Sequence, residues 1–106
     1  MSEEFRVVEE FTNYLVSDKG RIIRYYPKSN KCKELLTNNP KRYKTITLCD
    51  KTRMVRMGLN RLIAATFIGP ANGRIVHHKD GNKLNNKVSN LEYLSHAYNV
   101  WIWYHQ

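Results

Sequence analysis

The sequence predicts an α+β fold, with N-terminal antiparallel β-hairpins and a helix followed by a C-terminal ββα unit. Three observations predict it. Apolar and polar residues alternate on both sides of two short turns. The apolar period switches to helical spacing at "LNRLIAATF", residues 59–67. Beyond residue 74 come a short apolar run, a long asparagine-rich loop, a second apolar run and a helical segment. A chain of 106 residues suits one domain. It divides into a basic hairpin module over 1–58 and the ββα unit over 59–106, the two packed as one compact body.

The elements follow in order. "NYLVSDKGRIIRYY" is a hairpin: Tyr14 to Ser17, a turn at Asp18-Lys19-Gly20, then Arg21 to Tyr26. Gly20 supplies the positive φ such a turn needs. "PKSNKCKELLTNNPK" mixes proline, asparagine and lysine, and reads as a basic connecting loop with one helical turn. In "YKTITLCDKTRMVRMG", Ile46 and Leu48 alternate with Thr45 and Thr47, Asp50-Lys51-Thr52 turns, and Val55 and Met57 flank Arg56. Leu59, Leu62, Ile63 and Phe67 lie on one helical face, with Asn60 as the expected cap and Gly69-Pro70 as the stop. "RIVHH" is a short strand, "LEYLS" its antiparallel partner, and Ser95 caps a helix over "HAYNVWIWYHQ", in which Trp101 and Trp103 are expected in the core.

Composition narrows the partners. Residues 1–18 carry a net charge of −4, residues 19–87 of +14 and residues 88–106 of −1. A positive field concentrated in the middle of the chain favours a polyanion, and nucleic acid is the commonest. Lys44, Arg53, Arg56 and Arg61 are the candidate phosphate contacts. The plainer reading is a solvated basic surface that keeps the protein soluble. No run approaches the roughly 18 apolar residues of a membrane span. The acidic start "MSEEFRVVEE" is unlike a signal peptide, so a cytoplasmic protein with no membrane partner is expected. Cys32 and Cys49 form no C-x-x-C pair and read as ordinary thiols.

"RIVHHKDGNKLNNKVSNLEYLSHAYNV", residues 74–100, holds the densest polar constellation. Adjacent residues on a strand face opposite ways, so His77 and His78 suit different tasks. Hydrolysis of a phosphodiester needs a base for water, a group that holds that base, and a cation to stabilise the phosphate. Taken singly, each residue also has a structural reading. A His-His pair ends many strands, Asp80-Gly81-Asn82 is a good turn anywhere, and Asn85 and Asn86 suit backbone satisfaction in a loop.

In combination, His77-His78, Asp80-Gly81-Asn82, Asn85-Asn86, Asn90-Leu91 and Asn99 resemble the HNH nucleases, and within them the homing endonucleases of phages and their introns. "NYLVSDKGRIIR" is similar to the module often fused ahead of such nucleases, and "LNRLIAATFIGP" to the segment that leads into their active site. The resemblance implies a ββα-metal (His-Me finger) unit and a metal-dependent endonuclease acting on double-stranded DNA, as monomer or homodimer. It implies that His78 is the general base, that Asn90 braces the loop and holds the His78 ring, and that His77 and Asn99 bind one divalent ion. His96 is a possible extra ligand, with a solvent-facing helix start as its plainer reading. Many relatives place an acid where His77 stands, and oxygen ligands favour Mg²⁺ or Mn²⁺. An imidazole there shifts the expectation toward Mn²⁺ or Ni²⁺, with Zn²⁺ possible.

Two other functions compete. A catalytically inactive DNA-binding protein on the same scaffold predicts salt-sensitive binding without cleavage. A structural zinc module built on His77, His78 and a cysteine predicts that chelation unfolds the protein.

Overall fold

The computed structural model describes residues 2–36 and 43–105. Four antiparallel strands make the N-terminal sheet, in sequential order: β1 (Phe5–Val7), β2 (Tyr14–Ser17), β3 (Ile22–Tyr26) and β4 (Lys31–Leu35). A second hairpin joins β5 (Thr45–Cys49) to β6 (Met54–Gly58), and α1 (Leu59–Phe67) follows directly. The C-terminal part pairs β7 (Ile75–His78) with β8 (Leu91–Leu94), one turn of 3₁₀ helix (Val88–Asn90) leads into β8, and α2 (His96–Tyr104) closes the chain.

Both hairpins expected from alternation are present. Tyr14 pairs with Arg24 and Val16 with Ile22, so Tyr14, Val16 and Ile22 all enter the core. In the second hairpin Ile46 stands opposite Met57 and Leu48 opposite Val55. Its turn is closed by Asp50, whose Oδ1 accepts from the Thr52 and Arg53 backbone N–H groups and from the Thr52 hydroxyl. These bonds hold the Asp50 carboxyl below its ordinary pKa, the Thr52 contacts most strongly.

Two strands differ from the sequence reading. The segment read as a connecting loop with a helical turn contains β4, which pairs with β3 from Lys31 opposite Tyr26 to Leu35 opposite Ile22. Its first three residues are exposed, so lysines are tolerated there, and Asn30 makes the tight turn at φ 54°. Residues 37–41 of that segment lie outside the described residues. β1 is the other addition, a three-residue strand whose partner is β2.

α1 is the centre of the core. Leu59, Leu62, Ile63 and Ala64 are buried, together with Val8, Phe11, Tyr14, Val16, Ile22, Leu48 and Leu91. All three sheets thus contribute to one apolar cluster around α1. Truncating Ile63 to alanine would cost about 2–5 kcal/mol by the usual cavity penalty. The helix cap is Gly58 rather than the expected Asn60, and no side chain caps it. The Leu59 N–H instead donates to the Lys44 carbonyl at 2.8 Å, so the sheet satisfies the first helical amide. Asn60 is buried under Gly58, where a Cβ would lie 2.4 Å from Asn60 Oδ1.

Tyr14 ties the N-terminal sheet to the second hairpin. Its ring is fully buried, and its hydroxyl oxygen accepts from the Cys49 backbone N–H at 3.0 Å. Burial raises the pKa of this phenol.

α2 departs furthest from expectation. Ser95 caps it as predicted, its Oγ accepting from the Tyr98 N–H at 3.1 Å. Yet no residue of the helix is buried, and Trp101 and Trp103 are 53% and 72% exposed. The expected core role of these tryptophans is therefore not realised. Tyr98, Trp101 and His105 stack along one exposed face, with centroids 5.8 and 4.3 Å apart. Their spacing of three and four residues makes them neighbours on a helix whatever lies opposite.

Candidate active site

The asparagine-rich loop between β7 and β8 is an interlocked hydrogen-bond network. Gly81 takes φ 77° and its N–H donates to the His78 carbonyl, turning the chain just past the strand. Asp80 Oδ1 accepts from the Asn82 N–H and the Asn90 amide, and Oδ2 accepts from the Asn85 amide. These donors hold the Asp80 carboxyl below its ordinary pKa, Asn85 contributing most. Asn90, itself buried, also donates to the Asn85 carbonyl at 2.9 Å and accepts from the Asp80 N–H at 3.1 Å. One asparagine thereby satisfies three groups of a loop that has no ladder partner of its own.

His78 ends β7 and is 4% exposed. Its Nε2 lies 2.9 Å from Oδ1 of Asn86, which is equally buried. An amide oxygen only accepts, so this contact favours the neutral tautomer with its proton on Nε2 and a lone pair on Nδ1. Nδ1 has no hydrogen-bond partner among the described residues. The Tyr43 ring leans over the imidazole at 5.7 Å, and the Lys83 ammonium lies 4.9 Å from the other ring's centroid. The side chain of Asn90 reaches the loop, and the side chain that reaches the His78 ring is Asn86. Spacing along an irregular loop does not determine which of several asparagines turns inward, so this contact was not readable from the sequence.

His77 faces the other way and is half-buried. Its Nδ1 donates to Glu92 Oε2 at 2.9 Å, across the β7–β8 pair where the two residues stand directly opposite. Glu92 is the neighbour of His77 that sequence reasoning missed, although the register of two paired strands would have pointed to it. With Nδ1 engaged, Nε2 is the ring nitrogen left to bind a cation, and a carboxylate behind a histidine is a common support for a metal ligand.

Asn99 is half-buried in the second turn of α2, and its side chain has no hydrogen-bond partner among the described residues. His96 is exposed at the start of α2 and lines a surface cavity of about 440 Å³ with Arg61 and Arg74. Among the described residues no cluster of three or more His, Cys, Asp or Glu side chains could hold a metal unaided. An imidazole backed by a carboxylate plus an amide oxygen is nonetheless a donor set that suits a divalent ion sharing its remaining positions with water and phosphate.

Of the expected phosphate contacts, Arg56 and Arg61 are exposed and make no side-chain hydrogen bond among the described residues. Lys44 is half-buried. Arg53 is engaged elsewhere: its guanidinium lies 4.5 Å over the Phe11 ring and 3.4 Å from Glu10. No helix among the described residues is long and apolar enough to cross a membrane.

Comparison with known proteins shows what the chain is similar to as a whole. Residues 58–101 match a family model described as HNH endonuclease. The chain is 36% identical over 94 residues to the H-N-H endonuclease F-TflII of Escherichia phage T5, covering 84% of this chain and 46% of that protein. It is 35% identical over 92 residues to an uncharacterised HNH endonuclease of Acanthamoeba polyphaga mimivirus, covering 85% of this chain and 26% of that protein. Among solved structures, one titled as DNA binding and cleavage by the HNH homing endonuclease I-HmuI superposes with a TM-score of 0.80 and 30% identity, over 96% of this chain and 58% of that one. The chain spans less than half the length of the curated relatives it matches. Its small α+β fold of antiparallel strands and helices matches that of this HNH homing endonuclease over nearly the whole length of the chain.

Proposed function

We propose that this protein is a metal-dependent HNH endonuclease, similar to the homing endonucleases, that nicks or cuts double-stranded DNA with His78 as its general base. The observation that carries the reading is the state of the His78 ring. It is buried and held at Nε2 by an amide oxygen, and its Nδ1 has no hydrogen-bond partner among the described residues. A base needs that combination of fixed orientation and a free acceptor nitrogen.

In the proposed reaction, Nδ1 of His78 takes a proton from water, and the water oxygen attacks the phosphorus in line. The bond to the 3′ oxygen breaks, leaving a 5′-phosphate and a 3′ hydroxyl that gains its proton from solvent. A divalent ion, for which His77 and Asn99 are the donors on this chain, would neutralise charge on the scissile phosphate and the departing oxygen. Asn90 keeps the loop folded around the base, and its three bonds support that positioning role. The N-terminal sheet and the second hairpin carry most of the basic residues and would grip phosphates, while the ββα-metal unit built from β7, β8 and α2 presents the chemistry. One active site cuts one strand, so a double-strand break would need a homodimer or two successive events.

Relaxation of supercoiled plasmid tests the reading. Purified protein is expected to nick in Mn²⁺ or Ni²⁺ and to stop when the ion is chelated. A plasmid left intact in Mg²⁺, Mn²⁺ and Ni²⁺ alike, yet bound in low salt, would favour a DNA-binding protein without cleavage.

A further inference from the structure

Asn86 joins the His78 ring to the opposite end of the chain. Its Oδ1 lies 2.9 Å from His78 Nε2, while its backbone is pressed against the turn between β2 and β3. A Cβ on Gly20 would lie 3.2 Å from the Asn86 carbonyl carbon, 3.3 Å from its oxygen and 3.4 Å from its Cβ. Gly20 also takes φ 92°, where any side chain is strained. Two residues before it, the Asp18 carbonyl accepts from the Val88 N–H at 2.9 Å, fixing the far side of the same loop segment.

The turn is itself held firmly. Ser17 is fully buried, and its Oγ accepts from the Lys19 and Arg21 N–H groups. The Asp18 N–H donates to the Glu4 carbonyl, which ties in the strand before it. The N-terminal sheet therefore buttresses the loop at Asn86 and Val88, and Asn86 in turn holds the ring. No residue of this relay is hydrogen-bonded to His78 Nδ1 among the described residues.

We propose that Asn86 is a positioning residue that sets the Nε2–H tautomer of His78, and that the Asp18–Gly20 turn of the N-terminal sheet is what keeps Asn86 in place. This rests on the reading of His78 as the base. A neutral imidazole carries one proton on either nitrogen, and only the Nε2–H form has a lone pair on Nδ1 to receive a proton. An acceptor fixed at Nε2 selects that form before substrate arrives. The sheet thus has a second task besides DNA binding: it preorganises the chemistry.

The test combines ¹⁵N spectra of histidine-labelled, metal-free protein with nicking kinetics. The chain has four histidines, so a His78→Gln sample assigns the signal. In the parent protein His78 is expected to show a protonated Nε2 and a bare Nδ1. Asn86→Ala should mix the tautomers and lower kcat by about 10- to 100-fold with KM for DNA nearly unchanged. Asn86→Asp retains an acceptor and should restore the tautomer and part of the rate. Gly20→Ala should move both readouts in the direction of Asn86→Ala while circular dichroism shows a folded protein. A parent spectrum with the proton on Nδ1, or an Asn86→Ala spectrum identical to the parent, would overturn the proposal. Loss of KM and kcat together in Asn86→Ala, with no recovery in Asn86→Asp, would also overturn it. The spectra need no cleavage, so a parent protein that fails to nick counts against the nuclease reading alone.

Discussion

Glu92 Oε2 lies 2.9 Å from His77 Nδ1, and the two residues stand opposite each other on paired strands. The pair fixes the imidazole through Nδ1 and leaves Nε2 unengaged among the described residues, and a negative charge behind the ring makes that nitrogen a better donor. Under the proposed function, the ion would meet a histidine with an acid behind it. Glu92→Gln should therefore weaken the apparent affinity for Mn²⁺ in the nicking assay by about 10- to 100-fold. The rate at saturating ion should fall much less. An unchanged Mn²⁺ dependence would remove Glu92 from the site.

Arg56 and Arg53 sit on the same strand region but should behave differently toward DNA. Arg53 is held by Phe11 and Glu10, whereas Arg56 is exposed and makes no side-chain hydrogen bond among the described residues. Arg56→Ala should weaken DNA binding and reduce the salt slope by about one. Arg53→Ala should change the slope less. Filter binding from low to moderate salt measures both, and equal slopes for the two variants would contradict the distinction.

The Asp80 carboxyl has a depressed pKa because Asn85, Asn82 and Asn90 donate to its charged form. A depressed folded value means that the stabilisation is complete above the unfolded value of about 3.9 and is lost as pH falls through the lower folded value. Asp80→Asn should thus be less stable than the parent at neutral pH, with a deficit that shrinks below about pH 4. Melting temperatures of the two proteins at neutral and acid pH measure it. A deficit that stays constant across that range would show that the charge of Asp80 does not hold the loop.

Tyr14→Phe removes the hydroxyl that accepts from the Cys49 N–H in the interior. A buried amide left without a partner costs about 1–3 kcal/mol. Urea unfolding should show a loss of that size with an unchanged m-value. No loss would mean that the Cys49 amide finds another acceptor.

The legible parts of the fold were those where local pattern and tertiary context agree. The hairpins around Gly20 and Asp50 combine alternation with turn residues of defined conformation, and α1 has a clean apolar face. β4 was hidden because an exposed edge strand can carry lysine at alternate positions and still pair through its backbone. The tryptophans of α2 were misplaced because aromatic character records an affinity for apolar surface without saying whether this chain supplies that surface. In the loop, the residue types marked a polar network but not its wiring. Asn85, Asn86 and Asn90 are chemically identical, and only the packing of Gly20 against Asn86 distinguishes the one at the ring.

The central claim is that His78 activates water. The most direct measurement compares nicking of supercoiled plasmid by the parent protein and His78→Ala in Mn²⁺, alongside DNA binding by both without metal. Removing a general base while leaving the basic surface intact should reduce nicking about a thousandfold or more, with DNA affinity nearly unchanged. Nicking by His78→Ala at the parent rate would contradict the account.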